Sequence, residues 1–170
     1  YLNSKKKKSI ITILDSDGED DSKQIAYMIK KAKLNSTSVV VSCRTKRGEG
    51  IIFSLFYVLH KLLAFMFTFK WINFGNYSSF SSINLSNILK NNSSWLAYSS
   101  AVADNCEIIK VYAARKKRFF GKSKLSFFGL FLHSLRVISV FLYRVIFLSF
   151  IYISCAIYFK EFLNHYFIIL

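Results

Sequence analysis

The stretch that decides the fold is Ser9-Ile-Ile-Thr-Ile-Leu-Asp-Ser-Asp-Gly18. Residues 9–14 form an uninterrupted run rich in β-branched side chains, which predicts a buried strand. The run stops at Asp15, and Gly18 permits a tight turn three residues later. Because ligands of open α/β sheets bind beyond the carboxyl ends of strands, this turn is a candidate binding site.

A helix and a second strand are predicted directly after the turn. Residues 20–33 carry apolar side chains at helical spacing, with acids at the start and lysines at the end, as the helix dipole favours. Residues 37–43 form another buried β-branched run. A strand, a helix and a strand within this length predict a βαβ unit with a parallel pair, and therefore an α/β fold.

The middle of the chain alternates between apolar and polar segments. Residues 51–70 are long enough to cross a membrane, but His60 and Lys61 lie at their centre, so we favour a buried or surface-lying helix. His60, His133 and His165 are expected to be ordinary packing residues. The following segments are predicted as a polar loop, a Ser/Asn-rich stretch, a helix, a strand and a dense basic loop: 73–76, 77–94, 95–103, 107–113 and 115–124.

The apolar part from Leu125 onward predicts a transmembrane helix. Residues 145–159 carry no charge, but at about 1.5 Å per residue they fall short of a hydrocarbon core of about 30 Å. We therefore extend the span back to Val137, with Arg144 snorkelling to the interface or facing protein. Residues 160–161 (Lys-Glu) predict a short turn before a second span that the sequence truncates.

Composition also indicates a membrane partner. The chain is 53% hydrophobic and 18% aromatic, and its net charge is +15. A basic, aromatic-rich chain can bind nucleic acid, but the apolar segment that follows the basic loop favours an anionic membrane surface and no nucleic acid. Cys43, Cys106 and Cys155 are isolated in sequence, which argues against zinc and disulfide scaffolds and for a reduced, cytosol-facing catalytic part.

Five of the nine acidic residues lie between Asp15 and Asp21. If the turn stays extended, the carboxylates of Asp15, Asp17 and Glu19 could point to one site. Such oxygen ligands suit Mg²⁺ or Mn²⁺, which would hold a diphosphate. The other interpretation is an acidic helix start capped by Asp20 or Asp21. We favour the metal site for Asp15 and Asp17, and the cap for Asp20 and Asp21.

Several ordered blocks, which together span roughly residues 9–160, carry a family resemblance. They are Ile13-Leu-Asp-Ser-Asp-Gly-Glu-Asp20, Val39-Val-Val-Ser-Cys-Arg44, Gly48-Glu-Gly50, Asn73-Phe-Gly-Asn-Tyr-Ser78 and Arg118-Phe-Phe-Gly-Lys-Ser-Lys124. In order and spacing they resemble glycosyltransferase family 2, in the branch similar to dolichyl- or polyprenyl-phosphate sugar transferases. The resemblance implies a partial GT-A domain (a Rossmann-like sheet for a nucleotide-diphosphate sugar) over 1–124, without its N-terminal strands. The interfacial helix and the transmembrane segments would occupy 125–170.

The resemblance also implies roles for particular residues. Asp15 would lie near the nucleotide ribose and the metal, and Asp17 would coordinate the metal with help from Glu19. Residues expected at donor or lipid phosphates are Arg44, Arg115, Arg118, Lys122 and Lys124. The acceptor-side loop contains Asn73, Gly75 and Asn76. Relatives with a lipid-phosphate acceptor often carry an aspartate where this chain has Asn73, which leaves the general base unassigned; Asp104 is the nearest candidate carboxylate.

Together these features predict an inverting, metal-dependent transfer from a nucleotide-diphosphate sugar to a lipid-linked acceptor at the cytoplasmic membrane face. A polyprenyl phosphate has a second pKa of about 6, so at neutral pH it needs positioning more than deprotonation. The chain alone is expected to be inactive, and a homo-oligomer is compatible with the sequence. The alternative is a small, non-catalytic membrane-anchored protein with a structural or interaction role.

Overall fold

The computed structural model describes residues 9–44, 51–90, 95–113 and 126–169. Its centre is one mixed sheet of four strands in the order β1-β3-β2-β4. β3 runs antiparallel to both β1 and β2, whereas β2 and β4 are parallel. The strands are β1 (Ile10–Ile13), β2 (Ser38–Arg44), β3 (Phe74–Ser81) and β4 (Glu107–Ala113). The predicted α/β class is thus confirmed.

The predicted parallel pair of β1 and β2 is wrong. The two strands run in the same direction, but β3 lies between them and pairs with both. Ser78 of β3 is opposite Ile13 on one side and opposite Val41 on the other. The parallel neighbour of β2 is β4, which follows much later in the chain.

Six helices and two short 3₁₀ turns surround the sheet in the described ranges. The helices are α1 (Ile25–Leu34), α2 (Ile51–Thr68), α3 (Leu85–Ile88), α4 (Tyr98–Asn105), α5 (Phe127–Ser139) and α6 (Leu142–Ile169). The 3₁₀ turns are Ser22–Gln24, which leads into α1, and Ser82–Asn84, which leads into α3. The helices predicted over 20–33, 51–70 and 95–103 are therefore confirmed, with boundaries shifted by a few residues.

The sheet has a different cover on each face. Alternate residues of a strand point to opposite faces, so Val40 packs against Met28 and Ala32 of α1. Val39 and Val41 point to the other face, where they belong to a larger core. That core also includes buried residues from α2, α4, α5 and the turn between α5 and α6: Ala64, Val102, Val137, Val140 and Phe141.

β3 is an interior strand where no strand was predicted. The polar loop predicted over 73–76 is wrong for the first residues of β3, and the Ser/Asn-rich stretch 77–94 was assigned no element. Ser78, Ser79 and Ser81 are buried there. A buried hydroxyl needs a partner. The Oγ of Ser79 shares a hydrogen bond of 2.9 Å with Thr12 Oγ1, and the Oγ of Ser78 shares one of 2.6 Å with the phenol of Tyr98. These long-range contacts make a serine-rich strand stable in the sheet.

The C-terminal part departs from its prediction in two places. The chain turns at Val140 and Phe141, so α6 begins at Leu142 and the candidate span does not extend back to Val137. α6 then continues through the Lys160 and Glu161 positions, where we predicted a turn. Within the described residues, one segment, Leu142–Phe162, is long and apolar enough to cross a membrane. Only 6% of its apolar 18-residue stretch is buried.

Candidate functional site

The carboxyl ends of β1, β2 and β4 lie at one edge of the sheet, beside the beginning of β3. Ile13 at the end of β1 is opposite Ser78, and Cys43 near the end of β2 is opposite Phe74. Asp15 follows β1 at this edge. The acceptor-side motif (residues 73–78, named from the family resemblance) spans the start of β3. Two motifs that the sequence presents separately therefore come together at the edge where open α/β sheets bind ligands.

The acidic turn is held by its own side chains. Asp20 Oδ2 accepts a hydrogen bond of 3.1 Å from the backbone N–H of Asp15, and Asp17 Oδ1 accepts one of 3.0 Å from the N–H of Glu19. Gly18 has a φ of 82°, a left-handed conformation that glycine adopts without steric cost. These bonds give the three predicted ligand carboxylates a defined backbone.

Asp21 ends the turn as a helix cap. Its Oδ1 accepts a hydrogen bond of 3.0 Å from the N–H of Lys23, which confirms the cap prediction for Asp21. Asp20 binds the start of the turn instead. The phenol of Tyr77 donates to the carbonyl of Asp21 at 3.0 Å. Burial and the negative charges of Asp20 and Asp21 raise the pKa of Tyr77, so the phenol stays protonated and remains a donor.

The acceptor-side motif contacts the acidic turn directly. Asn76 Nδ2 donates a hydrogen bond of 3.3 Å to Asp15 Oδ1, across 61 positions of sequence. The motif was predicted to be a loop. Gly75 and Asn76 are instead strand residues of β3, and Asn73 directly precedes the strand. The strand fixes the direction in which Asn76 approaches the carboxylate.

Asn73 is anchored at the end of β2. The thiol of Cys43 donates to Asn73 Oδ1 at a distance of 3.4 Å. Burial raises the pKa of Cys43 against the opposing charges of Lys110 and Lys61, so the sulfur keeps its proton. Arg44, the predicted phosphate ligand, follows Cys43 as the last residue of β2.

The fit of the edge to a metal ion depends on how many ligands the protein must supply. In the described parts of the chain, no group of three or more His, Cys, Asp and Glu residues is arranged to hold a metal. Mg²⁺ in phosphate-handling sites often uses only one or two carboxylates, and substrate phosphates and water complete its shell. Asp15 and Asp17 suit that mode because both lie on one turn at the sheet edge. Glu19 as a further ligand stays a prediction.

Asp104 lies toward the opposite edge of the sheet. It is in the last turn of α4, shortly before β4 begins at Glu107, which is opposite Ser38 at the amino end of β2. Its Oδ1 forms an ion pair of 2.9 Å with Arg144 at the start of α6. Arg144 therefore faces protein, one of the two alternatives predicted for it. A role for Asp104 in docking α6 fits this placement better than a role as base.

Sequence reasoning missed a second group of polar residues. The rings of His60 on α2 and His133 on α5 have centroids 6.3 Å apart, although 72 residues separate them. Both histidines line a cavity beside α2 and α5, and Lys61 and Lys70 line it too. No spacing in the sequence connects these residues, because the packing of α2 against α5 brings them together.

Part of the predicted phosphate-binding set lies outside the described residues: Arg115, Arg118, Lys122 and Lys124. The last described residue before this segment is Ala113, which ends β4 at the candidate edge. No family model, curated protein or solved structure matches the chain. The mixed sheet, the polar residues at its carboxyl edge and the apolar helix α6 are therefore the observations that bear on function.

Proposed function

We propose that the chain belongs to a membrane-bound glycosyltransferase of the family 2 type and contributes part of the GT-A domain that transfers a sugar to polyprenyl phosphate. The observation that carries the proposal is the hydrogen bond from Asn76 to Asp15. It joins the two segments that resemble the donor and acceptor blocks of one family. Their contact at the carboxyl edge is what a shared reaction site requires, because both substrates must meet there.

Asp15 and Asp17 would hold Mg²⁺ or Mn²⁺ together with the donor diphosphate, with Glu19 beside them. When bound, such an ion neutralises the charge that develops on the leaving diphosphate. The chain contributes orientation: Asp15 is held by Asn76 on its side chain and by Asp20 on its backbone. A carboxylate fixed in advance loses little further freedom when it meets the ion.

A lipid-phosphate acceptor explains why the edge can work without an aspartate in the acceptor motif. The amide of Asn73 cannot take a proton as a carboxylate would, and Asp104 lies toward the far edge of the sheet. A phosphate monoester with a second pKa of about 6 is already mainly a dianion at neutral pH. It needs positive charge and alignment, for which the chain offers Arg44 at the end of β2 and the basic segment after β4.

The membrane helix and the cysteines support a cytoplasmic membrane surface as the location. The apolar segment Leu142–Phe162 would anchor the domain. Cys43, Cys106 and Cys155 are all free thiols, which suits a reducing compartment. A nucleotide-diphosphate donor in the cytosol could then reach the sheet edge, while the lipid acceptor stays in the bilayer.

One observation favours the alternative, a non-catalytic membrane-anchored protein. The carboxylates of Asp17, Asp20 and Asp21 each bind a backbone N–H of the same turn, as they would in a purely structural turn. In that case replacing Asp17 would loosen the turn but would remove no ligand site.

Calorimetric titration of the full-length protein with UDP or GDP in the presence of Mn²⁺ separates the two functions. We expect saturable binding of one nucleotide, and at least about tenfold weaker binding by Asp17→Asn, equivalent to about 1.4 kcal/mol. Asp21→Asn is the matched control, because it makes the same chemical change at the helix cap and should keep nucleotide binding. Equal binding by the wild type and Asp17→Asn would leave the non-catalytic function as the better one.

A further inference from the structure

A polar cavity of about 50 Å³ lies between α2, α5 and the first residue of β3. That volume is several times what one water molecule requires and suits a group of the size of phosphate. Its polar lining consists of Tyr57, His60, Lys61, Lys70, Ser99 and His133. None of the described residues that line it is acidic. The described lining of the cavity therefore contributes two ammonium groups, two imidazoles and two hydroxyls.

Aromatic rings hold Lys61 at this cavity. Its Nζ lies 4.7 Å from the ring centroid of Tyr57 and 5.5 Å from that of Trp71. Cation–π attraction of this kind restrains an ammonium group while leaving its N–H bonds able to donate. The positive charge is thus kept beside the cavity instead of extending into solvent.

The end of α2 directs Lys70 to the same place. Phe69 has a φ of 51°, an uncommon conformation for a bulky residue, which persists where the surrounding structure fixes it. Thr68 supports this turn, because its Oγ1 donates to the carbonyl of Ala64 at 2.6 Å and accepts from the N–H of Lys70 at 3.1 Å. The chain leaves the helix axis at this point, and Lys70 becomes part of the cavity wall.

The histidines complete the lining from two helices. The ring of His60 lies 6.0 Å from that of Tyr57 and 6.3 Å from that of His133. Although His133 is exposed as a residue, burial of its imidazole ring and the charge of Arg136 lower the pKa of His133. A neutral imidazole donates one hydrogen bond, so the positive charge of the cavity comes mainly from the two lysines.

Apolar side chains surround the cavity on the outer side of both helices. Leu59, Leu62 and Leu63 of α2 are exposed, as are Phe128, Phe131 and Leu135 of α5. Exposed apolar side chains on both helices are typical of a surface that contacts a partner or a membrane. Phosphate-binding chemistry beside an apolar surface matches a lipid, which carries its phosphate next to hydrocarbon.

We propose that this cavity binds the phosphate monoester of a membrane lipid, whose hydrocarbon lies along α2 and α5. A monoester carries close to two negative charges at pH 7 and three strong acceptor oxygens, which the two lysines and the neighbouring donors can match. The proposal goes beyond sugar transfer, because it needs neither a nucleotide donor nor a metal.

The position of the cavity also connects it to the sheet edge. Phe74 lines the cavity, and Asn76, which binds Asp15, is two residues further along β3, at a distance of about 7 Å between Cα atoms. A polyprenyl phosphate ends in the same monoester, so the cavity would seat the acceptor beside the donor turn. This link, unlike lipid binding itself, rests on the proposed function.

Calorimetric titration of the whole chain in a neutral detergent tests the proposal. The three probes are dihexanoyl phosphatidic acid, dihexanoyl phosphatidylcholine and inorganic phosphate. We expect the phosphatidic acid to bind at least about tenfold more tightly than either of the others, and Lys70→Gln and Lys61→Gln each to weaken it about tenfold. Lys33→Gln on α1 is the matched control and should bind like the wild type.

Three outcomes would overturn the proposal. Equal binding of phosphatidylcholine would show that the monoester is not recognised, and equal binding of inorganic phosphate would exclude a lipid as the source. An equal loss in Lys33→Gln would attribute binding to net charge. If circular dichroism shows that Lys70→Gln is misfolded, Lys61→Gln decides alone. Phosphatidic acid binding that survives while the Mn²⁺–nucleotide titration fails would contradict the proposed function and leave the lipid site standing.

Discussion

The two faces of the sheet carry helices of opposite character. α1 covers one face with Met28 and Ala32, and its outer side carries lysines such as Lys30 and Lys33. α2, on the other face, buries Ala64 but exposes leucines along its outer side. An amphipathic helix belongs at a water-facing surface, whereas a helix that is apolar nearly all round belongs in a core or against lipid.

The strands themselves differ little between the two faces. Val39, Val40 and Val41 are adjacent in β2 and all are completely buried, yet they contribute to different cores. The helices decide which face carries an outer surface of lysines and which carries one of exposed leucines. The candidate site lies at the edge shared by both faces, where a soluble donor and a membrane-bound lipid could both reach it.

The largest difference should appear between the surroundings of the outer faces of α1 and α2. Spin labels at Leu59→Cys of α2 and Leu34→Cys of α1, in a Cys155→Ser background and a lipid nanodisc, probe positions that are 50% and 74% exposed. We expect the label at 59 to collide with oxygen dissolved in the bilayer, and the label at 34 to collide with a water-soluble nickel complex, as measured by electron paramagnetic resonance. Water accessibility at both positions would contradict a lipid-facing α2.

Replacing a large core side chain by alanine on each face of the sheet should show how much each face contributes to the free energy of unfolding. Phe80, 1% exposed, packs in the core beneath α2, α4 and α5, so Phe80→Ala should lower the free energy of unfolding by about 3–5 kcal/mol. Met28→Ala on the α1 face should lower it by about 2–5 kcal/mol. Urea unfolding in detergent and in nanodiscs measures both. Lipid should recover part of the loss in Phe80→Ala only, and equal recovery in both variants would break the comparison.

A smaller effect is expected from the contact between α4 and β3. Burial raises the pKa of Tyr98 from its ordinary 10.0 to about 12, although its hydrogen bond with Ser78 acts in the opposite direction. Between pH 10 and 12 the unfolded chain loses this proton while the folded chain keeps it, so the stabilisation present below pH 10 is lost as the pH rises. Urea unfolding across this range should show a shallower decline in Tyr98→Phe, while Tyr112→Phe, at an exposed position, should follow the wild type.

The smallest effect is expected where α6 docks on α4. Because Arg144 is 46% exposed, a double-mutant cycle of Asp104→Ala and Arg144→Ala should give a coupling energy of about 0.2–1 kcal/mol. Sugar transfer by the full-length protein should persist in Asp104→Asn. Loss of transfer with unchanged stability would instead make Asp104 the general base and would move the reaction away from the carboxyl edge.

β1, β2 and β4 could be predicted because their β-branched runs match buried strands. β3 could not be predicted, because a segment with Ser78, Ser79 and Ser81 has the composition of a loop. Only its hydrogen-bond partners explain why it forms a strand. Those partners include Thr12, 67 positions before Ser79, and Tyr98, 20 positions after Ser78. Because β3 was not predicted, β1 and β2 were expected to pair with each other. In the structure β3 lies between them.

The candidate site was predictable in its parts but not in its assembly. Asp15 and Asn76 each belong to a recognisable motif, yet their contact depends on the insertion of β3 between β1 and β2. The cavity around His60 and His133 carries no sequence signal, because helix packing alone determines it. The apolar character of α6 was predicted from the sequence. That the helix continues through residues 160–161 was not predicted, because a Lys-Glu pair also suits a turn.

The insertion of β3 has a consequence for the order in which the protein is built. Ile10 pairs with Ser81, 71 positions later, so β1 has no neighbour in the described sheet until β3 has been synthesised. Such non-local pairing makes folding slow, since the chain between the strands must close as a loop before any contact stabilises it. α2 lies within that loop and leaves the ribosome before β3. A bilayer close to the ribosome would therefore meet this apolar helix before the sheet closes, and would act as a surface on which the domain folds.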